Sequence, residues 1–300
     1  MNKNPLQFNR AFTLVELIVV MVIMTILAGL SAMAYRGIAD DLRMSSAMNT
    51  VVSALDNARA MSIKKNRYVI TVFRPRLESG GTEQVIDIVI AEWNGDSASA
   101  DNGGSGTNTI WTYDRFIPIQ GMAVRTIEGG VNVAGPGYGT GDDDTWWCST
   151  FLPAHAVTSG SEPWGALVGV LYNPEGKVVV RNAESGADRI WVDFNRDWVQ
   201  TINASESVDW TSQAVVVDWS EPLPGLGAYF NLEDPDGEPF ISMTPILAVF
   251  NESEMRSSVL TSDWGNDPED SYLRDKAYTD FIEQNADRIQ FNRYSGVPLK

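Results

Sequence analysis

Glu16 is the one charged residue in the most apolar stretch of the chain. Phe12 to Tyr35 reads FTLVELIVVMVIMTILAGLSAMAY, 24 residues without a proline. A carboxylate near the middle of a bilayer costs about 2.5–3.5 kcal/mol on insertion scales, so an acid placed there implies a paired role, a counter-charge rather than a solvated ion. Other candidate chemistry is sparse. One histidine, His155, and one cysteine, Cys148, exclude histidine clusters, disulfide frameworks and cysteine-rich zinc sites. Asp193-Phe194-Asn195-Arg196-Asp197 matches the opening of a calcium loop, but Trp198 stands where that loop needs glycine and no bidentate glutamate follows at the required distance. Asp142-Asp143-Asp144 and Asp234-Pro235-Asp236-Gly237-Glu238 gather hard oxygen ligands, as ordinary solvated turns also do. Trp146-Trp147 beside Cys148 reads either as an exposed aromatic contact or as core, and core is the commoner use. His155 has no sequence partner for Ser/His/Asp catalysis. No residue set specifies a reaction, a cofactor or a metal.

The elements that position Glu16 follow from the same stretch. As a helix, 24 residues cover roughly 36 Å at about 1.5 Å per residue, enough to cross a hydrocarbon core of about 30 Å. Lys3 and Arg10 precede it with no acid between them, which places residues 1–10 in the cytoplasm and the rest of the chain across the membrane. Ala32-Met33-Ala34 offers a competing reading, a secretory signal cut after Ala34 that releases a soluble protein. The length of the apolar run and Glu16 argue against it.

Beyond the membrane segment the chain has a real core to build. It holds 300 residues, 44% hydrophobic, with ten Trp and a net charge of −17. Residues 1–67 carry eight basic against four acidic side chains; residues 68–300 carry 14 against 35, a net of −21. Such a surface repels phosphate backbones, so a nucleic-acid partner is disfavoured.

Arg10-Ala11-Phe12-Thr13-Leu14-Val15-Glu16-Leu17-Ile18, followed by the apolar helix, resembles the class III signal of type IV prepilins and type II secretion pseudopilins. The resemblance implies that a prepilin peptidase cuts between Ala11 and Phe12, methylates the new amine of Phe12 and leaves Glu16 in place. Ala11 departs from the family's usual glycine, although a small residue still permits close backbone approach. Cleavage would set a cationic amine one helical turn from Glu16, and in a stacked filament the Glu16 carboxylate of one subunit can meet the amine of another. The implied fold is α+β and type IV pilin-like: a long N-terminal α-helix, half transmembrane and half amphipathic, packed on an antiparallel β-sheet head.

Residue patterns beyond the signal extend this division. Residues 1–11 read as a leader, 12–35 as a transmembrane helix, 36–67 as its amphipathic continuation and 68–300 as an acidic β-rich head. No proline falls between Pro5 and Pro75, and Ile38, Leu42, Met48, Val52, Leu55 and Ala58 are expected to form one apolar stripe. Asn66 and Arg67 close the helix. Strands are expected at Tyr68–Phe73 and Val85–Ile90, as an antiparallel hairpin, and at Gly121–Ile127, Ala166–Tyr172, Lys177–Arg181, Ile190–Phe194 and Ala214–Trp219. Three segments, 94–108, 128–163 and 201–287, read as insertions. The first is Gly/Ser/Asn-rich and expected to be a loop. The last carries a helix capped by Asp267 and Pro268, with Leu273, Ala277 and Phe281 on one face.

Within the head, three features are similar to the GspH/FimT kind of minor pseudopilin. They are the helix end Asp56–Arg67, the turn Leu171-Tyr172-Asn173-Pro174-Glu175-Gly176-Lys177-Val178, and the closing segment Arg288–Val297 with its Ser295-Gly296 turn. This resemblance implies a non-enzymatic subunit of a type II secretion system or related type IV filament machine, single-pass in the bacterial inner membrane with a periplasmic head. Its implied partners are the prepilin peptidase, other major and minor pseudopilins, an inner-membrane assembly platform and secreted cargo. The alternatives are a minor type IV pilin for adhesion, filament priming or DNA uptake, and a secreted hydrolase or sugar-binding domain released after Ala34.

Overall fold

The proline-free run forms one 52-residue helix, α1 (Leu14–Lys65). The structure, a computed structural model, describes residues 14–77, 84–101, 110–127, 129–137, 146–149, 167–181, 189–194, 196, 215–216, 229–230, 241–258, 279–292 and 294–299. The chain divides into two compact units, Met1–Arg43 and Met44–Lys300.

In the first unit, α1 is apolar and open. Leu14–Ser31 has a mean hydropathy of 2.5 and is exposed throughout. Ile38 and Leu42 are 58% and 64% exposed. In the second unit, burial falls on Ala47, Met48, Val51, Ala54, Leu55, Ala58 and Ser62, at steps of three and four. Of the expected stripe through Ile38, Leu42, Met48, Val52, Leu55 and Ala58, the last four are buried in or packed against the core, and Ile38 and Leu42 are exposed and do not belong to it. Leu42 to Met48 is a step of six, which turns the helix surface by about 120° and breaks the phase.

The helix ends where Asn66 and Arg67 were expected to close it, and the hydrogen bonds show how. Asn66 adopts a left-handed φ of 51°. Its N–H donates to the Ile63 carbonyl at 3.3 Å, and the Arg67 N–H donates to the Ser62 carbonyl at 3.2 Å. These are the two bonds of a Schellman cap, with asparagine taking the position glycine usually fills.

Three residues later the chain enters the centre of an eight-stranded sheet. Its main path runs β12 (Ile241–Met243), β7 (Leu167–Tyr172), β1 (Val69–Leu77), β2 (Gln84–Asp101), β3 (Ile110–Pro118), β9 (Arg189–Val192). β4 (Arg125–Ile127) adds to β2 and β8 (Val178–Val179) to β7. The hairpin expected at Tyr68–Phe73 and Val85–Ile90 is present as β1 and β2, antiparallel with Val72 opposite Val89. The all-antiparallel expectation is corrected: β12 with β7 and β3 with β9 are parallel pairs. A parallel neighbour cannot be reached by a tight hairpin, and β9 and β12 both arrive after long connections.

A second sheet, wholly antiparallel, runs β15 (Pro298–Leu299), β14 (Asp287–Phe291), β13 (Ile246–Asn251), β5 (Val131–Gly137), β6 (Trp146–Ser149). β10 (Val215–Val216) and β11 (Tyr229–Phe230) form a separate pair. The segments read as insertions thus hold much of this second sheet, including its central strand β13. The loop expected over 94–108 is instead the end of β2 as far as Asp101, with a bulge between Trp93 and Ser97. Smaller differences trim other strands. Gly121 takes a left-handed φ of 83° in a turn, so only Arg125–Ile127 is strand there. The strands expected at Lys177–Arg181 and Ile190–Phe194 reduce to Val178–Val179 and Arg189–Val192. Of the expected 267–281 helix, residues 279–285 are helical; Asp267 and Pro268 lie outside the described residues.

The first sheet is buried on both faces, which explains the unbroken apolar run Val69-Ile70-Thr71-Val72-Phe73. One face puts Phe73, Ile86, Ile88, Val168, Val170 and Tyr172 against Val51, Leu55 and Ala58 of α1 and against Val133, Leu247, Val249 and Ile289 of the second sheet. The other face carries Ile70, Val72, Phe116, Leu171, Ile190 and Val192 with Ile241 and Met243. Each such side chain contributes about 1.5–3 kcal/mol when fully buried.

Candidate assembly site

Two places gather the residues singled out by sequence. The first is the start of α1. Glu16 lies in the first described turn and is exposed, an arrangement in which a carboxylate complements the positive end of the helix dipole. Ala11 and Phe12, the expected cleavage pair, lie outside the described residues. Thr25, the next polar side chain along the helix, donates its hydroxyl to the Val22 carbonyl at 2.8 Å. That bond satisfies a hydroxyl donor which an apolar medium would otherwise leave unpaired. Leu14–Ser31 is therefore suited by length, composition and polar satisfaction to serve as a single membrane anchor.

The second place is a corner of the head, where the three features noted separately along the sequence meet. The turn between β7 and β8 is latched by Asn173. Its Oδ1 accepts the N–H groups of Glu175 at 3.1 Å and Lys177 at 2.9 Å. The turn between β14 and β15 repeats the device with Asn292, whose Oδ1 accepts the N–H groups of Tyr294 at 2.9 Å and Ser295 at 3.1 Å. Gly176 and Gly296 complete these turns with φ of 77° and 69°. The turns stack so closely that a Cβ on Gly296 would lie 2.1 Å from the Gly176 carbonyl oxygen, and one on Gly176 would lie 2.7 Å from Ile63 Cδ1. Arg59 joins the helix to this stack, its Nε donating to the Ser295 carbonyl at 2.6 Å.

Tyr172 lies under the corner. Its ring meets Phe291 edge-on at 6.2 Å, and its buried hydroxyl has no hydrogen-bond partner. Burial pushes its ionisation well above the usual tyrosine range, the Asp56 carboxylate adds to that, and the Arg59 guanidinium opposes it. At the surface of the turn, a hydrogen bond from Lys177, reinforced by its charge, holds the Glu175 carboxyl below its ordinary value.

The remaining candidates fall elsewhere. Asp193, the first residue of the partial calcium loop, is buried and bound to Arg115, whose Nε donates to Asp193 Oδ2 at 2.7 Å. Asp96 adds a second carboxylate 3.6 Å from Arg115. This is a satisfied ion pair inside the fold, and its carboxylate is already committed to the guanidinium. Two further pairs cross the same sheet: Arg74 with Asp87 at 3.6 Å, and Arg181 with Asp114. Arg74, Arg115 and Arg181 also lie over Phe194, Trp191 and Tyr68. Sequence reasoning missed this set, because its partners are 13 to 78 positions apart and only strand pairing brings them together. Trp146 and Trp147 stand on β6. His155, Asp142–Asp144 and the Asp234–Glu238 turn lie outside the described residues, and among the described residues no three His, Cys, Asp or Glu groups converge as metal ligands.

A family model, the prokaryotic N-terminal methylation motif, matches residues 7–32, which span Ala11, Phe12, Glu16 and the apolar helix. No curated protein and no solved structure matches the chain. The matched signal implies processing by prepilin peptidase and assembly with other pilin-like subunits.

Proposed function

We propose that this chain is a minor pseudopilin of the GspH/FimT kind, a subunit of a type II secretion system or related type IV filament machine, acting by assembly rather than catalysis. The observation that carries the reading is Glu16 at the head of an exposed apolar helix, four residues after Phe12 of Arg10-Ala11-Phe12 and inside the matched methylation motif. Residues 1–11 are a leader that prepilin peptidase removes. Phe12 then begins the mature chain with a methylated, cationic amine at membrane depth. Glu16 pairs with such an amine on a neighbouring subunit, and an ion in hydrocarbon without its partner costs enough to set the axial register of the stack. The helix is held in the inner membrane by residues 12–35, and the acidic head works in the periplasm against other pseudopilins, the assembly platform and secreted cargo.

Mass spectrometry of the N-terminal peptide from native membranes tests this directly. Methylated Phe12 is the expected start; a start at Tyr35 overturns the reading in favour of a released soluble domain. Glu16→Ala is expected to leave the protein processed and membrane-resident while reducing its crosslinking to other pseudopilins. Undiminished crosslinking would remove the register role of Glu16.

A further inference from the structure

The head corner has a surface that its fold does not require. Tyr294 is 81% exposed, the most exposed large apolar side chain among the described residues, and Ile63, packed against Gly176, is 47% exposed. The Asn292 latch needs a backbone N–H at position 294 and no aromatic ring. Lys64 and Arg67 follow Ile63 at the helix end and are exposed, as is Lys177, which pairs with Glu175 at 2.6 Å; Arg59 joins the helix to the stacked turns. The three segments that meet here, 56–67, 173–177 and 292–296, hold six basic side chains against Asp56 and Glu175, a net positive sequence on a chain whose residues 68–300 carry −21; Lys65 of the set pairs with Glu92.

We propose that this corner is a docking surface for an acidic segment of a partner protein that also carries an apolar anchor. Charge complementarity selects the partner's sign, and Tyr294 with Ile63 supplies the apolar contact that a purely ionic site lacks. The surface is already ordered. The Asn292 latch fixes the backbone at Tyr294 and Ser295, the Arg59 bond holds Ser295, and the Asn173 latch and the Schellman cap fix the turn and helix end beside them, so little conformational freedom is lost on binding. Tyrosine adds wide amphipathic contact with only two side-chain torsions to fix. A duplex of nucleic acid fits less well, since affinity for phosphate backbones grows with the number of cations engaged and this corner offers few. The inference uses the head alone and does not depend on the function proposed above.

The test uses the full chain in detergent micelles and a fluorescent synthetic peptide of alternating Glu and Leu with one Phe. Binding is read by anisotropy, with the same peptide carrying Lys for Glu and a labelled DNA duplex as rival probes. The acidic peptide is expected to bind, with Tyr294→Ala weakening it at least fivefold and Lys64→Glu, Arg67→Glu and Lys177→Glu together at least tenfold. Val124→Ala, at an exposed position just before β4, is expected to leave binding unchanged. Because Tyr294 is mostly in solvent, its truncation keeps the fold, which an unchanged unfolding midpoint verifies. The proposal falls if the acidic peptide does not bind, if the basic peptide binds as well, or if Tyr294→Ala has no effect. It falls equally if the duplex binds more tightly at the corner, which would make nucleic acid the occupant.

Discussion

Leu17, Val22 and Ile26 in the first half of α1 are 51–58% exposed, whereas Val51, Leu55 and Ala58 in the second half are wholly buried. Both stretches belong to the same helix, and intrinsic propensity does not separate them. What differs is the location of the partner. The second half finds its apolar partners on the first sheet of its own chain, and the stripe that meets them is narrow. Leu14–Ser31 is apolar nearly all round and no described residue of its own unit covers it, so its stability is set by a medium or a neighbour supplied from outside. One sequence pattern, apolar and helical, thus serves two physical purposes, and only the angular spread of the apolar residues distinguishes them.

Leu55→Ala should widen this contrast most. Truncating a fully buried leucine costs about 2–5 kcal/mol, while Leu17→Ala should change the head's stability by no more than about 0.5 kcal/mol. Urea unfolding of the full chain in micelles, followed by tryptophan fluorescence, measures both. Equal costs would end the distinction between the two halves. The glycines give a second comparison. Gly296→Ala must take up a left-handed backbone, roughly 1–3 kcal/mol, and press on the Gly176 carbonyl, with a further cost of about 1–3 kcal/mol. Gly29→Ala meets nothing within 4 Å and should be neutral or stabilise by up to about 1 kcal/mol. A Gly296→Ala protein with the wild-type midpoint would mean that the stacked turns are not tight.

The smallest effect is expected under the corner. Tyr172→Phe removes a buried hydroxyl that has no partner, so it should stabilise by about 1 kcal/mol. It should also alter the alkaline limb. The folded state holds the phenol proton more firmly than the unfolded state does, so this contribution is complete below about pH 10 and is lost as pH rises beyond it. The wild type should lose stability there by up to about 1.4 kcal/mol per pH unit more than Tyr172→Phe does. Parallel pH profiles would show that Tyr172 is not the group responsible.

Local chemistry made some of this legible in advance. Asn66 can adopt a left-handed φ, and the switch from helical spacing to Tyr68-Val69-Ile70 marks the first strand, so the helix end and the β1–β2 hairpin were readable. The second sheet was not. β5 and β13 lie in segments that looked like additions to a smaller fold, and a strand of six or seven residues inside a long acidic stretch carries little periodic signal. The Ser97-Ala98-Ser99-Ala100 run fell inside the Gly/Ser/Asn-rich segment expected to be a loop, and its small residues give no alternation, yet pairing with β3 orders it as strand. At the candidate site, Glu16 was evident because a lone charge in an apolar run is conspicuous. The meeting of residues 59–63, 173–177 and 292–296 was not, since it depends on tertiary stacking of turns more than a hundred positions apart.

The three-residue link between α1 and β1 has a mechanical consequence. β1 has β2 on one side and β7 on the other, so it is an interior strand and not an edge. A pull delivered through the helix therefore enters the head at a strand bonded on both sides. To extract β1, a load must part nine residue pairs with β2 and five with β7, where an edge strand would yield after one ladder. Arg59 and the stacked turns brace the helix end just before that point. The head is thus wired to its helix as a towed body is to its cable, with the attachment at an interior member of the frame and not at its rim.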